Sequence, residues 1–281
     1  MHPLDAAVNL ETSGDKLTGV TSDAYWNFTG PFGGTTAATL LQAAMQHPQR
    51  QNLPTAMTIN YCAPVAKGAF DLHVAEKRTN RSTQHFTVEM MQGADTIITA
   101  SLVFAARPEG FFRVTAPMPD VPPPEAIDPP KTKAPLAWID RFDMRFVSGF
   151  PVMRKDESVP LGSARTEVWL RDNPARKLDF LALMNMGDAF FARPFLVLGR
   201  LIQVGTISMT TYFHCDESDL AEVGEDYVLG VADANILAKG YADQTAWLWS
   251  RGGRLLATSQ QMLYFRDKAF IPGGRNSTTS R

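Results

Sequence analysis

Nine of the 19 prolines in this chain fall between Pro108 and Pro135, and that cluster constrains the fold more than any other feature. Proline fixes φ and has no backbone N–H. Runs such as Met118-Pro119-Asp120-Val121-Pro122-Pro123-Pro124 and Asp128-Pro129-Pro130 therefore cannot continue a helix or occupy a central strand. The segment 108–135 reads as an extended linker between two halves of similar size, residues 1–107 and 136–267. The polar, glycine-rich residues 268–281 read as a flexible tail.

Each half follows the same plan of one helix and then strands. In the first, Gly33-Gly34 opens a stretch to Gln46 in which Ala37, Leu40, Leu41, Ala44 and Met45 recur at helical spacing, with Pro48 just beyond. The stretch carries no charge, so burial on most sides is expected. Runs with a period of two follow around Met57-Ile59-Tyr61, Phe70-Leu72-Val74 and Phe86-Val88-Met90, and Gly93-Ala94-Asp95 turns the chain into Thr96 to Ala105. The second half opens with alternation at Phe142-Met144-Phe146. Asp172-Asn173-Pro174 reads as a helix start, with the helix running to about Ala192. Strands are expected near 202–214, 227–236 and 242–249, and Arg251-Gly252-Gly253-Arg254 turns into a closing strand, 255–265. Alignment of the closing strands, Ile97 on Leu255, sets Val103 opposite Gln261. The pattern suggests an internal duplication.

Composition narrows the function. With 281 residues, 44% hydrophobic, the chain can bury a sizeable core. Lys+Arg 27 against Asp+Glu 29 leaves a net charge of −2, which disfavours a dedicated nucleic-acid binder. Cys62 and Cys215 cannot build a disulfide framework or a four-cysteine zinc site. No apolar run is long enough to span a membrane, and the first residues lack the basic and apolar regions of a secretory signal, so a cytoplasmic location is expected.

Familiar catalytic motifs are missing. There is no G-x-S-x-G elbow, no phosphate-binding loop and no G-x-G-x-x-G. The five histidines form no spaced metal set, so neither a metal nor an organic cofactor is expected. Chemistry, if present, falls to polar side chains acting on water.

Four stretches carry a resemblance. They are Tyr25-Trp26 through Gly30-Pro31-Phe32-Gly33-Gly34; Arg78-Thr79-Asn80-Arg81-Ser82 with Val88 through Gln92-Gly93; Gly205 through His214; and Leu256 through Arg266. Together they resemble the acyl-CoA thioesterases of the double hotdog type, the acyl-CoA thioesterase II group. Asn80 and Thr83 depart from the glycine and aromatic usual there, and Ser208-Met209 replace an Asp-His pair. The resemblance implies an α+β fold of two tandem hotdog modules, each a long helix wrapped by a curved antiparallel sheet, with the sheets joined edge to edge. It implies hydrolysis of a fatty acyl-CoA in fatty acid metabolism, and a homo-oligomer. One active site is implied, in the second half, with Asp188, Thr206 and Gln261 as the catalytic set.

Those residue types make chemical sense. A carboxylate, a hydroxyl and an amide can hold one water against a thioester carbonyl and take its proton. Taken singly, an Asp on the apolar face formed with Leu181, Met184 and Phe191 also reads as a buried structural group, and a strand Thr is usually structural. Candidate substrate-binding residues are Gly187, where backbone or substrate can approach closely; Asn185, near the carbonyl; Gly33 and Gly34 at the helix start; and Arg81, toward the phosphates of coenzyme A. For Arg81 the plainer reading is a solvated strand-edge side chain. For His214 it is a surface or capping role, and for Trp247-Leu248-Trp249 it is core and interface. Three alternatives stand beside hydrolysis of acyl-CoA: a hotdog protein that binds acyl-CoA without cleaving it, a thioesterase acting on acyl groups held by acyl-carrier protein, and a hotdog dehydratase or hydratase, which would want an inward histidine with a carboxylate that no histidine here evidently supplies.

Overall fold

The computed structural model describes residues 1–14, 16–131, 136–154 and 161–269. A short helix α1 (Pro3–Ala7) and strands β1 (Glu11–Ser13) and β2 (Lys16–Val20) precede the main helix of the first half, α2 (Gly33–Met45). Ala37, Ala38, Leu40, Leu41, Ala43 and Ala44 of α2 are fully buried, as its uncharged sequence predicts. An antiparallel meander follows: β3 (Leu53–Tyr61), β4 (Ala69–Thr79), β5 (Thr83–Gln92) and β6 (Asp95–Ala105). Its period of two is physical, since Phe86, Val88 and Met90 pack inward under α2 while Glu89 is exposed.

The second half begins with β7 (Phe142–Ser148) and β8 (Thr166–Asp172), then helices α3 (Phe180–Met186) and α4 (Arg193–Leu198). The order continues with β9 (Ile202–Phe213), α5 (Glu217–Val223), β10 (Val228–Asp233), β11 (Leu237–Ala238), β12 (Tyr241–Ser250) and β13 (Leu255–Ala269). The helix expected to start at Asp172-Asn173-Pro174 starts later. Asp172 ends β8, paired with Phe142, and caps nothing. The cap is Asp179, whose carboxylate accepts the Ala182 N–H at 2.8 Å. Nor does one helix reach Ala192: α3 stops at Gly187, and Pro194, which suits a first turn, opens α4. Local capping chemistry is satisfied equally well at both Asp positions in sequence; the pairing of β8 with β7 decides between them.

All the strands share one antiparallel sheet in the order β1-β2-β4-β5-β6-β3-β9-β13-β12-β10-β8-β7, with β11 beside β12. The halves therefore join edge to edge through β3 and β9, removing two exposed edges. Thr58 pairs with Thr210 at the middle of this seam, their hydroxyl oxygens 3.0 Å apart, and marks a pseudo-twofold axis. Both halves repeat a bulge three residues from it, at Thr55 in β3 and Ile207 in β9. The axis also corrects an alignment. Met57 pairs with Leu102 and Met209 with Gln261, so the first-half counterpart of Gln261 is Leu102, not Val103. Aligning by sequence slipped one residue, which in a strand exchanges the inward and outward faces.

The proline-rich segment packs against the outer face of the second half. Val114, Met118, Val121 and Ile127 cover a cluster of Trp169, Tyr227, Leu229, Val231 and Trp249, and Trp169 Nε1 donates to the Pro122 carbonyl at 2.9 Å. Trp249 and Leu248 are both buried, on opposite faces of β12. Linker residues 132–135 and tail residues 270–281 lie outside the described residues, whereas β13 runs to Ala269. No helix among the described residues is long and apolar enough to cross a membrane.

Candidate active site

The first turn of helix α2 packs against the end of helix α3. Asn185 is fully buried, and its Oδ1 accepts the Thr35 hydroxyl at 2.9 Å, tying the two helices together. Gly187 ends α3, with its N–H donated to the Leu183 carbonyl at 3.0 Å. Asp188 follows in the turn rather than on the helix, aimed at the first turn of α2. A Cβ on Gly33 would lie 2.7 Å from Asp188 Oδ2, so glycine is what allows the contact.

The other two members come from adjacent strands. Thr206, just beside the β9 bulge, donates its hydroxyl to Gln261 Oε1 at 3.0 Å. Gln261 Nε2 donates to Asp188 Oδ1 at 3.1 Å. The three residues predicted from sequence thus form one hydrogen-bonded chain. Its polarity fixes the Gln261 amide: the acceptor end faces Thr206 and the donor end faces Asp188. Burial pushes the Asp188 carboxyl up to about 7, against the opposing pull of the Gln261 amide and the Gly34 backbone N–H. That N–H is one of the groups a helix start leaves without an intrahelical partner, and the positive end of the helix dipole favours the carboxylate.

A cavity of about 360 Å³ opens onto Asp188, Thr206 and Gln261. Its walls are aromatic and aliphatic, with Phe28, Phe32, Trp138, Phe190, Phe191, Phe195, Val204 and Leu263 among them. Phe32 stacks on Trp138 with centroids 4.4 Å apart. Both halves build this cavity. Gly33 and Tyr61 come from the first, so the site lies at the junction rather than within the second half alone.

The remaining candidates divide. Gly33 lines the cavity and Gly34 braces Asp188. Asn185 and Gly187 hold the helix junction and are not on the cavity wall. Arg81 sits in the exposed turn between β4 and β5, with β5, β6 and β3 between it and β9. His214 bonds Thr258 at 3.0 Å, away from the cavity. Tyr61 and Gln244 are among the lining residues that the sequence did not single out. Tyr61 donates its hydroxyl to the Gly33 carbonyl at 3.0 Å, and burial together with the nearby Asp188 charge holds its phenol protonated. Gln244 stands directly across from Gln261 on β12. A polar residue interrupting the inward series Ala242, Ala246, Leu248 was the available signal for Gln244.

Comparison with known proteins agrees with the fold. Residues 22–105 match the acyl-CoA thioesterase N-terminal domain, and residues 117–265 match the acyl-CoA thioesterase C-terminal domain. A search of curated proteins finds no match. A conserved protein of unknown function with a hot dog fold from Alicyclobacillus acidocaldarius is 40% identical, with a TM-score of 0.90 over 96% of this chain and 100% of that one. The acyl-CoA thioesterase II TesB2 of Mycobacterium marinum is 18% identical, with a TM-score of 0.74 over 94% and 98% of the two chains, and so shares the fold. The hotdog architecture, the seam at β3 and β9 and the two matched domains lead to one conclusion: this chain belongs to the acyl-CoA thioesterase family.

Proposed function

We propose that the chain hydrolyses acyl-CoA thioesters to the free acid and coenzyme A, using water activated by Asp188. The observation that carries this reading is the chain Thr206–Gln261–Asp188 at the wall of an apolar cavity. Thr206 holds the Gln261 amide, and the remaining Gln261 N–H and the Asp188 carboxylate share a water. Asp188 takes a proton as the water oxygen bonds to the thioester carbon. A carboxyl poised near 7 suits that transfer at neutral pH. The developing oxyanion is met at the first turn of α2, where Gly33 borders the cavity and helix-start N–H groups point outward. Collapse of the tetrahedral intermediate breaks the C–S bond, and the proton held by Asp188 passes to the departing thiolate. The acyl chain lies among the cavity phenylalanines.

The test is release of free thiol from a panel of acyl-CoAs of increasing length, run beside the same acyl groups on acyl-carrier protein. Turnover with the CoA esters supports the reading. Tight binding without thiol release would replace it with a carrier or sensor, and turnover restricted to the protein-bound acyl groups would change the thiol carrier.

A further inference from the structure

The pseudo-twofold axis allows each half to be compared with the other at equivalent inward positions. Gln261 corresponds to Leu102, Thr206 to Pro54, and Gln244 to Phe86. Thr211 and Ser259 are likewise polar where Ile59 and Ala100 are apolar, but neither reaches the cavity. Gln244 does reach it, and it differs from its counterpart as Thr206 and Gln261 differ from theirs. The fold accepts a phenyl ring at this position, since Phe86 is 1% exposed, so packing does not demand an amide.

The amide of Gln244 is also unused. Its residue is 2% exposed, and Oε1 is buried without a hydrogen-bond partner. A buried polar group in that condition costs free energy and gains most from a ligand that satisfies it. Position says which part of a ligand. Thr206, Gln261 and Gln244 lie on the successive strands β9, β13 and β12, spaced about 4.8 Å apart, with Gln244 directly across from Gln261 and Thr206 diagonal to it. Exposure falls across those strands, from part-exposed Thr206 through Gln261 at 7% to Gln244 at 2%. The large, polar coenzyme must extend toward solvent, so Gln244 faces the acyl side of the thioester, within reach of its first few carbons.

We propose that Gln244 is a specificity-determining residue that hydrogen-bonds a hydroxyl on the acyl group near the thioester carbonyl, so that the site prefers hydroxyacyl-CoA esters over plain hydrocarbon ones. A hydroxyl donates and accepts at once, matching an amide that offers both functions. This rests on the thioesterase reading and adds the substrate class to it.

The experiment compares hexanoyl-CoA with each enantiomer of 3-hydroxyhexanoyl-CoA, by kcat/KM and by calorimetric Kd. It uses the wild-type chain, Gln244→Leu and, as an unbranched second variant, Gln244→Met. One hydroxy enantiomer should be favoured at least about 10-fold by the wild type, because a site built to bond a hydroxyl rejects the analogue lacking it. In both variants that ratio should fall to about one, with no loss of Tm. No preference in the wild type, or a preference that survives in both variants, overturns the proposal. Equal losses on both esters would also overturn it, assigning Gln244 to the pantetheine arm they share. Absence of hydrolysis with any ester would end the thioesterase reading by itself, and the Kd ratios would still decide the role of Gln244.

Discussion

Gly34 lies so close to the backbone carbonyl of Asn185 that a Cβ on it would sit 2.5 Å from that oxygen. The start of α2 and the end of α3 are therefore in backbone contact, and the Gly34 N–H reaches Asp188 only because they are. An added methyl would have to push a carbonyl, which is backbone and cannot swing away. Gly34→Ala should separate the helix ends, cost about 1–3 kcal/mol of stability, and lower turnover by about 10²-fold through a misplacement of about 1 Å at the site. Thermal unfolding and kcat measured on one preparation check both. Unchanged turnover would detach α2 from the chemistry.

The pH dependence of Asp188 has a defined sign. Burial holds its carboxyl up at about 7 in the folded protein, against an ordinary value of 3.8. The folded state thus binds this proton more tightly, and the associated stability, complete below about pH 4, is lost as pH rises through about 7. Catalysis runs the other way, since the base must be ionised: kcat/KM should fall about tenfold per unit below pH 7 and level off above it. Asp188→Asn should lose at least about 10²-fold in turnover, yet at pH 8 be more stable than wild type by on the order of 1–3 kcal/mol. At pH 4 that advantage should vanish. Thr206→Val and Gln261→Ala should lose turnover to a similar extent without the pH-dependent gain. A variant set with falling stability at pH 8 and normal rates would recast the three as structural.

Much of this was legible in the residues, and the misses have physical causes. Period-two alternation located the strands because one face is buried and the other is not. The uncharged helix of Ala, Thr and Leu announced its burial. The grouping of Asp188, Thr206 and Gln261 follows from a resemblance, and the fold brings them into one hydrogen-bonded chain. Long-range pairing is what sequence spacing does not carry. Whether Asp172 or Asp179 caps a helix depends on β7 holding Asp172 in the sheet. The slip between Val103 and Leu102 could be resolved only by the seam at Thr58 and Thr210. Tyr61 belongs to the site because β3 of one half lies beside β9 of the other, which no local pattern reports.

The duplication also predicts an asymmetry. Where the second half has Thr206, Gln244 and Gln261, the first has Pro54, Phe86 and Leu102, and Phe86 packs edge-on against Phe104 with centroids 5.6 Å apart. That face is core. Leu102→Ala should cost about 2–5 kcal/mol in stability, since the residue is 1% exposed and its removal leaves a cavity. Leu102→Gln should destabilise as well and create no second hydrolytic site, because Pro54 supplies no hydroxyl to orient the amide. Residual thiol release in a Gln261→Ala chain that disappears on adding Leu102→Ala, with the fold retained, would reveal a first-half site and refute this.

The cysteines give the last prediction. Cys215 is 1% exposed, and burial pushes its thiol up to about 12, so it packs as a small apolar group. Cys62 is exposed and borders the cavity beside Tyr61. Water activated by side chains needs neither a thiolate nor a Lewis acid, and no three His, Cys, Asp or Glu side chains gather as a metal set among the described residues. Cys62→Ser should therefore keep near-normal turnover, in excess EDTA as well as without it. Cys215→Ser should lose about 1–3 kcal/mol of stability from an unpartnered buried hydroxyl. Alkylation separates position from chemistry: N-ethylmaleimide on wild type should block the cavity and inhibit, whereas Cys62→Ser should resist it. If Cys62→Ser were inactive, or if EDTA abolished turnover and added zinc or manganese restored it, the reaction would run through a thiol or a metal centre rather than through the water held at Asp188.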